Sequence, residues 1–179
     1  MTRRPLAARG QASHGIRAAL HPRWTAPFTC PYSIRGLSAA GAVALLALGC
    51  QSPQWPVDGQ LASPFGVRSG GGLGELHRGV DIVAPVGTPV RPILDGRVRF
   101  AGTMRGYGQV IWIDHGDDAL SLYAHLSEIS VEAGEPVRKS TVIGLSGESG
   151  NVTGPHLHLE VWRWGREVDP VQLIGRPQG

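Results

Sequence analysis

DDALSLYAHLSEISVEA, residues 117–133, is the only stretch of more than ten residues after Cys50 that contains neither glycine nor proline. It is where a helix would sit if the chain had a long one. Its centre, LSLYAHLS, alternates apolar and polar positions instead of repeating every 3.6 residues, and so reads as a strand. Working outward, the same reading gives strands at 59–68, 80–85, 89–102, 109–114, 120–126, 142–146 and 156–164, each bounded by Gly, Pro or Asp turns. Short strands at this spacing predict an all-β fold, an antiparallel sandwich or open barrel. Composition agrees: 26 Gly and 14 Pro among 179 residues leave little room for long helices. The length fits one domain with its own core.

The basic balance divides along the chain. The formal net charge is +3, but residues 1–50 carry six arginines and no acid, whereas residues 51–179 carry 11 basic and 14 acidic side chains. The folded part is therefore mildly acidic, and nucleic acid is not an expected partner. GLSAAGAVALLALG, residues 36–49, is an apolar run preceded by Arg35 and followed by Cys50. It is too short to span a bilayer comfortably and fits the core of a signal peptide. LALG before Cys50 resembles a lipoprotein signal, in which that cysteine becomes the lipidated N-terminus. Residues 1–49 are thus read as a leader, 50–54 as the lipidated cysteine and a short linker, 55–174 as the functional domain and 175–179 as a tail. The expected location is outside the cytoplasm, in the periplasm or cell envelope, anchored to a membrane through Cys50. One lysine, Lys139, stands against 16 arginines, as in a GC-rich genome where start sites are easily misassigned, so residues 1–33 are a candidate untranslated stretch. Processing would remove Cys30 and leave Cys50 without an intramolecular disulfide partner. SGGGLG, residues 69–74, lacks the GK[ST] of a phosphate loop and reads as a flexible loop.

Five histidines follow Cys50: His77, His115, His125, His156 and His158. In HLHLEV, His156, His158 and Glu160 share one strand face while Leu157, Leu159 and Val161 share the other. Two histidines two apart stand roughly 6.6 Å from each other at the base, so both can line one small site. In HRGVD, Gly79 is read as permitting a tight turn between His77 and Asp81, with Val80 and Ile82 pointing inward. Imidazole and carboxylate are ordinary zinc ligands, and two from one turn with a third from a distant strand leave a fourth position open. Each piece alone is also compatible with a solvated strand face or a surface ion pair. Alternation puts His125 on the face of Tyr123, with Leu122, Ala124 and Leu126 opposite. His115, at a strand end in IDHGDD, is read as structural.

Together WPVDGQLASPFGVR, HRGVDIVAPVGTPV, DGRVRFAG, GYGQVIWIDHG, LYAHLS, VIGLSGESG and GPHLHLEV resemble the zinc metallopeptidases of the lysostaphin and LytM type, family M23, over about residues 55–174. The resemblance implies an antiparallel sheet with a narrow groove, one Zn²⁺ held by His77, Asp81 and His158, and His125 and His156 flanking the nucleophilic water. It implies a peptidoglycan substrate and hydrolysis of its peptide cross-links. Glu160 is a candidate partner of a ligand on the same strand face. Members of this type place a groove tyrosine upstream of the first ligand, and none occurs between Trp55 and Gly106. The competing expectation is a non-catalytic member that activates a cell-wall amidase or works with division proteins. Such members typically lose ligands or catalytic histidines, and all five positions are filled here. A histidine-phosphorylated carrier on a related β scaffold conflicts with the export signal, because its phosphoryl donors are cytoplasmic.

Overall fold

Strand formation follows the β-branched and aromatic residues concentrated in VDIV, QVIWID and HLHLEVW. A computed structural model of the chain describes residues 51–68 and 75–177. The leader, Cys50 and the 69–74 loop lie outside the described residues. Among the described residues, twelve strands and one short helix occur in the order β1 Leu61–Ser63, β2 Gly66–Arg68, β3 Glu75–His77, β4 Val80–Val83, β5 Pro89–Val90, β6 Gly96–Met104, β7 Gly108–Gly116, β8 Ala119–Ile129, β9 Pro136–Val137, β10 Gly144–Ser146, β11 His156–Arg163, β12 Arg166–Val168 and α1 Pro170–Ile174.

Ten strands form one antiparallel sheet whose main path runs β1-β4-β11-β8-β7-β6-β9. β10 joins through β8 and carries β5 on its other edge, β12 pairs with β11, and β2-β3 is a separate two-stranded sheet. The sheet does not close into a barrel, which resolves the expected sandwich or open barrel as an open antiparallel sheet. Two of the expected strands are each divided. The 59–68 segment breaks at Pro64 and Phe65 into β1 and β2, and the 89–102 segment breaks at 91–95 into β5 and β6. In both cases proline withholds the N–H that a continuing ladder would use. β3, β9 and β12 are only two or three residues long, too short to show a period in sequence. α1 begins with Asp169, whose Oδ1 accepts the Val171 N–H at 2.9 Å, followed by Pro170 in the first turn.

The two faces of the central strands are used differently. One packs the main core, where Val80, Ile82, Ile111, Ile113, Tyr123, Leu157 and Leu159 are fully buried. Side chains of this size contribute roughly 1.5–3 kcal/mol each when fully buried, so this face anchors the sheet. The other face carries a small cluster of Val110, Leu122 and Ala124 under Met104, Tyr107 and Trp112. Alternation puts His158 and Glu160 on that second face. The candidate site is therefore built on the back of the core.

Candidate metal and catalytic site

Register brings the first two groups together. β4 and β11 pair so that Asp81 lies opposite His158, and their neighbours Val80, Ile82, Leu157 and Leu159 are locked in the core. Sliding either strand by one residue would expose that apolar set. Gly79 makes the approach possible for a reason other than a tight turn. Its φ is not positive, and a Cβ there would stand 2.2 Å from the Leu159 carbonyl oxygen, so only glycine fits between β3 and β11. His77, at the end of β3, thereby reaches both partners. Its Nε2 is 3.1 Å from Asp81 Oδ1 and 3.1 Å from His158 Nδ1, while His158 Nδ1 is 2.7 Å from Asp81 Oδ1.

The outer nitrogens decide what faces inward. His77 Nδ1–H donates to the Pro64 carbonyl at 2.7 Å, and His158 Nε2–H donates to Glu160 Oε1 at 3.1 Å. The inner nitrogens, His77 Nε2 and His158 Nδ1, then face each other and Asp81. His77 Nε2, His158 Nδ1 and Asp81 Oδ1, all on buried residues, converge on one point. Such a group needs a cation, either a proton or a metal ion. Burial opposes charge on Asp81, yet its hydrogen bonds from His158 and His77 hold the carboxyl well below the usual range. Burial likewise works against a charged His158, but Asp81 and Glu160 override it and raise its pKa. The donor atoms of His77, Asp81 and His158 lie within 4.8 Å of one another, a grouping able to hold a metal ion. Two imidazoles and one carboxylate are a suitable set for zinc with a position left open.

Glu160 is fully buried and satisfied on both oxygens. Tyr107 donates to Oε1 at 2.7 Å and Trp162 Nε1–H donates to Oε2 at 2.8 Å. Burial would raise its pKa, and the bonds from His158, Tyr107 and Trp162 lower it instead. The Tyr107 phenol, half-buried and beside this carboxylate, is pushed up to about 12, and so remains a donor at neutral pH. Sequence reasoning missed Tyr107. It reaches the site from the β6–β7 turn, downstream of His77, and its ring centroid is 5.9 Å from that of His158. The only signal was the GYG of that turn.

His125 and His156 complete the cluster, with ring centroids 4.8 Å apart; the His125 ring is 5.8 Å from that of His158. His156 Nδ1–H donates to the Gly154 carbonyl and His125 Nδ1–H to the Ser149 carbonyl. Burial keeps His125 below its ordinary pKa, with the two neighbouring histidines adding to the effect and the Ser149 bond opposing it. The expected facing of His125 is corrected here. It does not share a face with Tyr123, which enters the core. The β7–β8 pairing steps from Gln109↔Leu126 to Ile111↔Tyr123, so β8 carries one extra residue, and His125 adopts φ 61°. This β-bulge turns His125 to the site face. His115 lies elsewhere, bonded to Asp95 O and Ser121 Oγ. The site opens into a groove of about 530 Å³, whose rim includes Leu76, Arg78, Asn151 and Thr153.

The chain is 45% identical over 116 residues to the DD-carboxypeptidase/endopeptidase Mpg of Neisseria meningitidis serogroup B, covering 64% of this chain and 27% of that protein. It is 38% identical over 123 residues to the murein hydrolase activator EnvC of Escherichia coli, covering 68% of this chain and 29% of that protein. The chain thus spans under a third of the length of these curated relatives. Among solved structures, a zinc containing peptidase from Vibrio cholerae aligns with TM-score 0.63 and 34% identity over 66% of this chain and 39% of that one. The catalytic domain of the antimicrobial peptidase lysostaphin from Staphylococcus simulans aligns with TM-score 0.60 and 31% identity over 65% of this chain and 92% of that one. The family model of peptidase family M23 matches residues 75–170, more than half of the sequence and every histidine and carboxylate of the cluster, and the chain belongs to that family.

Proposed function

We propose that the protein is a zinc-dependent endopeptidase that hydrolyses peptide cross-links of bacterial peptidoglycan. The observation that carries this is the convergence of three buried ligand atoms, His77 Nε2, Asp81 Oδ1 and His158 Nδ1, within 3.1 Å of one another, beside two further histidines. His77, Asp81 and His158 would hold the ion, and Glu160 would fix the orientation of His158. When bound, zinc polarises a scissile carbonyl and lowers the pKa of water toward 7. His125 and His156 are the proton-transfer groups. Both give their Nδ1–H to a backbone carbonyl, which leaves Nε2 of each ring to take a proton and return it to the leaving amine. His125, held below its ordinary pKa, is neutral and ready to accept at neutral pH.

Two relatives support the substrate class in different ways, since Mpg is named as a carboxypeptidase/endopeptidase and EnvC as a murein hydrolase activator. The similarity to EnvC favours a second reading, a domain that activates a cell-wall amidase. Full occupancy of the five positions favours the enzyme. Export and a lipid anchor on Cys50 belong to the same proposal. Among the described residues no helix is long and apolar enough to cross a membrane, and Cys50 lies outside them.

The test incubates zinc-loaded protein of known metal content with purified peptidoglycan, with and without chelator, and identifies products by mass spectrometry. Chelator-sensitive loss of peptide cross-links is expected. Zinc-loaded protein that releases nothing from several wall types, yet stimulates an amidase, would establish the second reading.

A further inference from the structure

The loop 147–155 between β10 and β11 supplies a backbone carbonyl to each of the two histidines outside the acceptor cluster. Gly154 O serves His156 from two residues away, a local contact. Ser149 O serves His125 from 24 residues away at 2.8 Å, so that contact lasts only while the loop stays seated on β8. Something must seat it, because His125 is a non-glycine residue at φ 61°, a conformation that persists only when its surroundings enforce it.

The Ser149 hydroxyl does this at the bulge itself. Its O–H donates to the Leu126 carbonyl at 2.6 Å, and its oxygen accepts the Gln109 N–H at 2.9 Å. Gln109 and Leu126 are register partners at the edge of the interruption in the β7–β8 ladder. The hydroxyl bridges the two strands where their pairing is disturbed. Two glycines let the loop come close enough. A Cβ on Gly108 would stand 2.4 Å from the Ser149 carbonyl carbon, and one on Gly150 would stand 2.5 Å from Gly108 N. Asn151 N–H to Gly106 O at 2.9 Å and His125 N–H to Tyr107 O at 2.9 Å close the contact.

We infer that Ser149 is a positioning residue: by bridging β7 and β8 it holds its own carbonyl on His125 Nδ1–H and so locks His125 in the single tautomer whose Nε2 is the free acceptor. A neutral imidazole has two tautomers, and only one presents the correct nitrogen. Burial favours the neutral ring, which makes the choice of tautomer matter. The catalytic consequence rests on the endopeptidase reading; the tautomer lock does not.

The test records long-range ¹H–¹⁵N correlations of the histidine rings in the zinc-loaded full chain, alongside kcat and KM on peptidoglycan fragments. The parent shows His125 as the pure Nδ1–H form. Ser149→Ala gives a mixture of tautomers at His125 with His156 unchanged, bound zinc unchanged, and kcat lower by about 10- to 100-fold, the scale of a misplaced catalytic group, with KM little altered. Ser149→Thr, which keeps the hydroxyl, restores both readouts. Gly150→Ala lifts the loop by sterics alone and shifts the same tautomer. A parent protein with His125 in the Nε2–H form, or a pure Nδ1–H signal in both Ser149→Ala and Gly150→Ala, overturns the inference. A parent that cuts no peptidoglycan while the tautomer shifts as described overturns the endopeptidase reading and supports the lock.

Discussion

Two buried histidine networks sit on the same sheet and behave in opposite ways. On the core side, Ile93 N–H donates to Tyr123 Oη at 2.8 Å, the Tyr123 and Ser121 hydroxyls are 2.8 Å apart, Ser121 Oγ is 2.7 Å from His115 Nε2, and His115 Nδ1–H donates to Asp95 O at 2.9 Å. Hydroxyls rotate to give or take a hydrogen as needed, so this chain closes on itself. On the groove side, His77, Asp81 and His158 have no hydroxyl among them, and the outer nitrogens are already committed to Pro64 O and Glu160. That network sets two imidazoles against a buried carboxylate and is balanced by a shared cation. Burial of a histidine is not itself a sign of a metal site; convergence of two imidazoles on a buried carboxylate is. One network stabilises the fold, and the other is completed only by an added cation.

Breaking the open network should have the largest effect. His158→Ala removes an acceptor from the cluster, and the expected outcome is loss of both stoichiometric zinc, by metal analysis of purified protein, and hydrolysis. His125→Ala should separate the two functions, because His125 is outside the acceptor cluster. Zinc content should stay at the parent level while turnover falls by about 10²-fold or more, the usual scale for losing a general acid or base. Steady-state kinetics on protein of measured zinc content checks this, and near-parental turnover would remove His125 from its role.

Breaking the closed network should leave zinc untouched and cost stability instead. Tyr123→Phe deprives the buried Ile93 N–H of its acceptor and Ser121 of a partner. A loss of about 1–3 kcal/mol is expected for leaving such groups unsatisfied. Denaturant unfolding measures it, and zinc binding equal to the parent's is the accompanying result. A Tyr123→Phe variant that lost zinc would show that the two networks are coupled through the sheet.

How much of this was legible in the sequence follows from the range of each interaction. The HLHLEV pattern announces its own two faces, since alternation is a property of one strand. The ligand set was available only through the ordered motifs, because the register placing Asp81 opposite His158 joins segments 77 residues apart. His125 was assigned the wrong face for an instructive reason: alternation assumes an uninterrupted ladder, and a bulge is visible only against the partner strand. Tyr107 was invisible as a site residue because its partner, Glu160, is 53 residues away. Gly79 was legible as a constrained position but not for the right cause, which is the Leu159 carbonyl packed against it.

The smallest expected effect is a pH dependence that belongs to the closed network alone. Burial lowers the pKa of His115 below its ordinary value of 6.5, and the Asp95 carbonyl opposes this only in part. The unfolded chain, with an ordinary histidine, therefore takes up a proton at a pH where the folded protein does not. The contribution to stability is complete above about pH 6.5 and is lost progressively as pH falls below it toward the folded-state pKa, with a slope of at most about 1.4 kcal/mol per pH unit. Unfolding of the parent and His115→Gln at a series of pH values, both zinc-loaded, isolates this share, because the groove-side groups are the same in both proteins and cancel in the difference. The parent should lose stability more steeply than the variant just below pH 6.5, and the two curves should run parallel above it. Parallel curves throughout would mean that the closed network opens to water on protonation, and the contrast between the two networks would then be one of charge without the difference in enclosure.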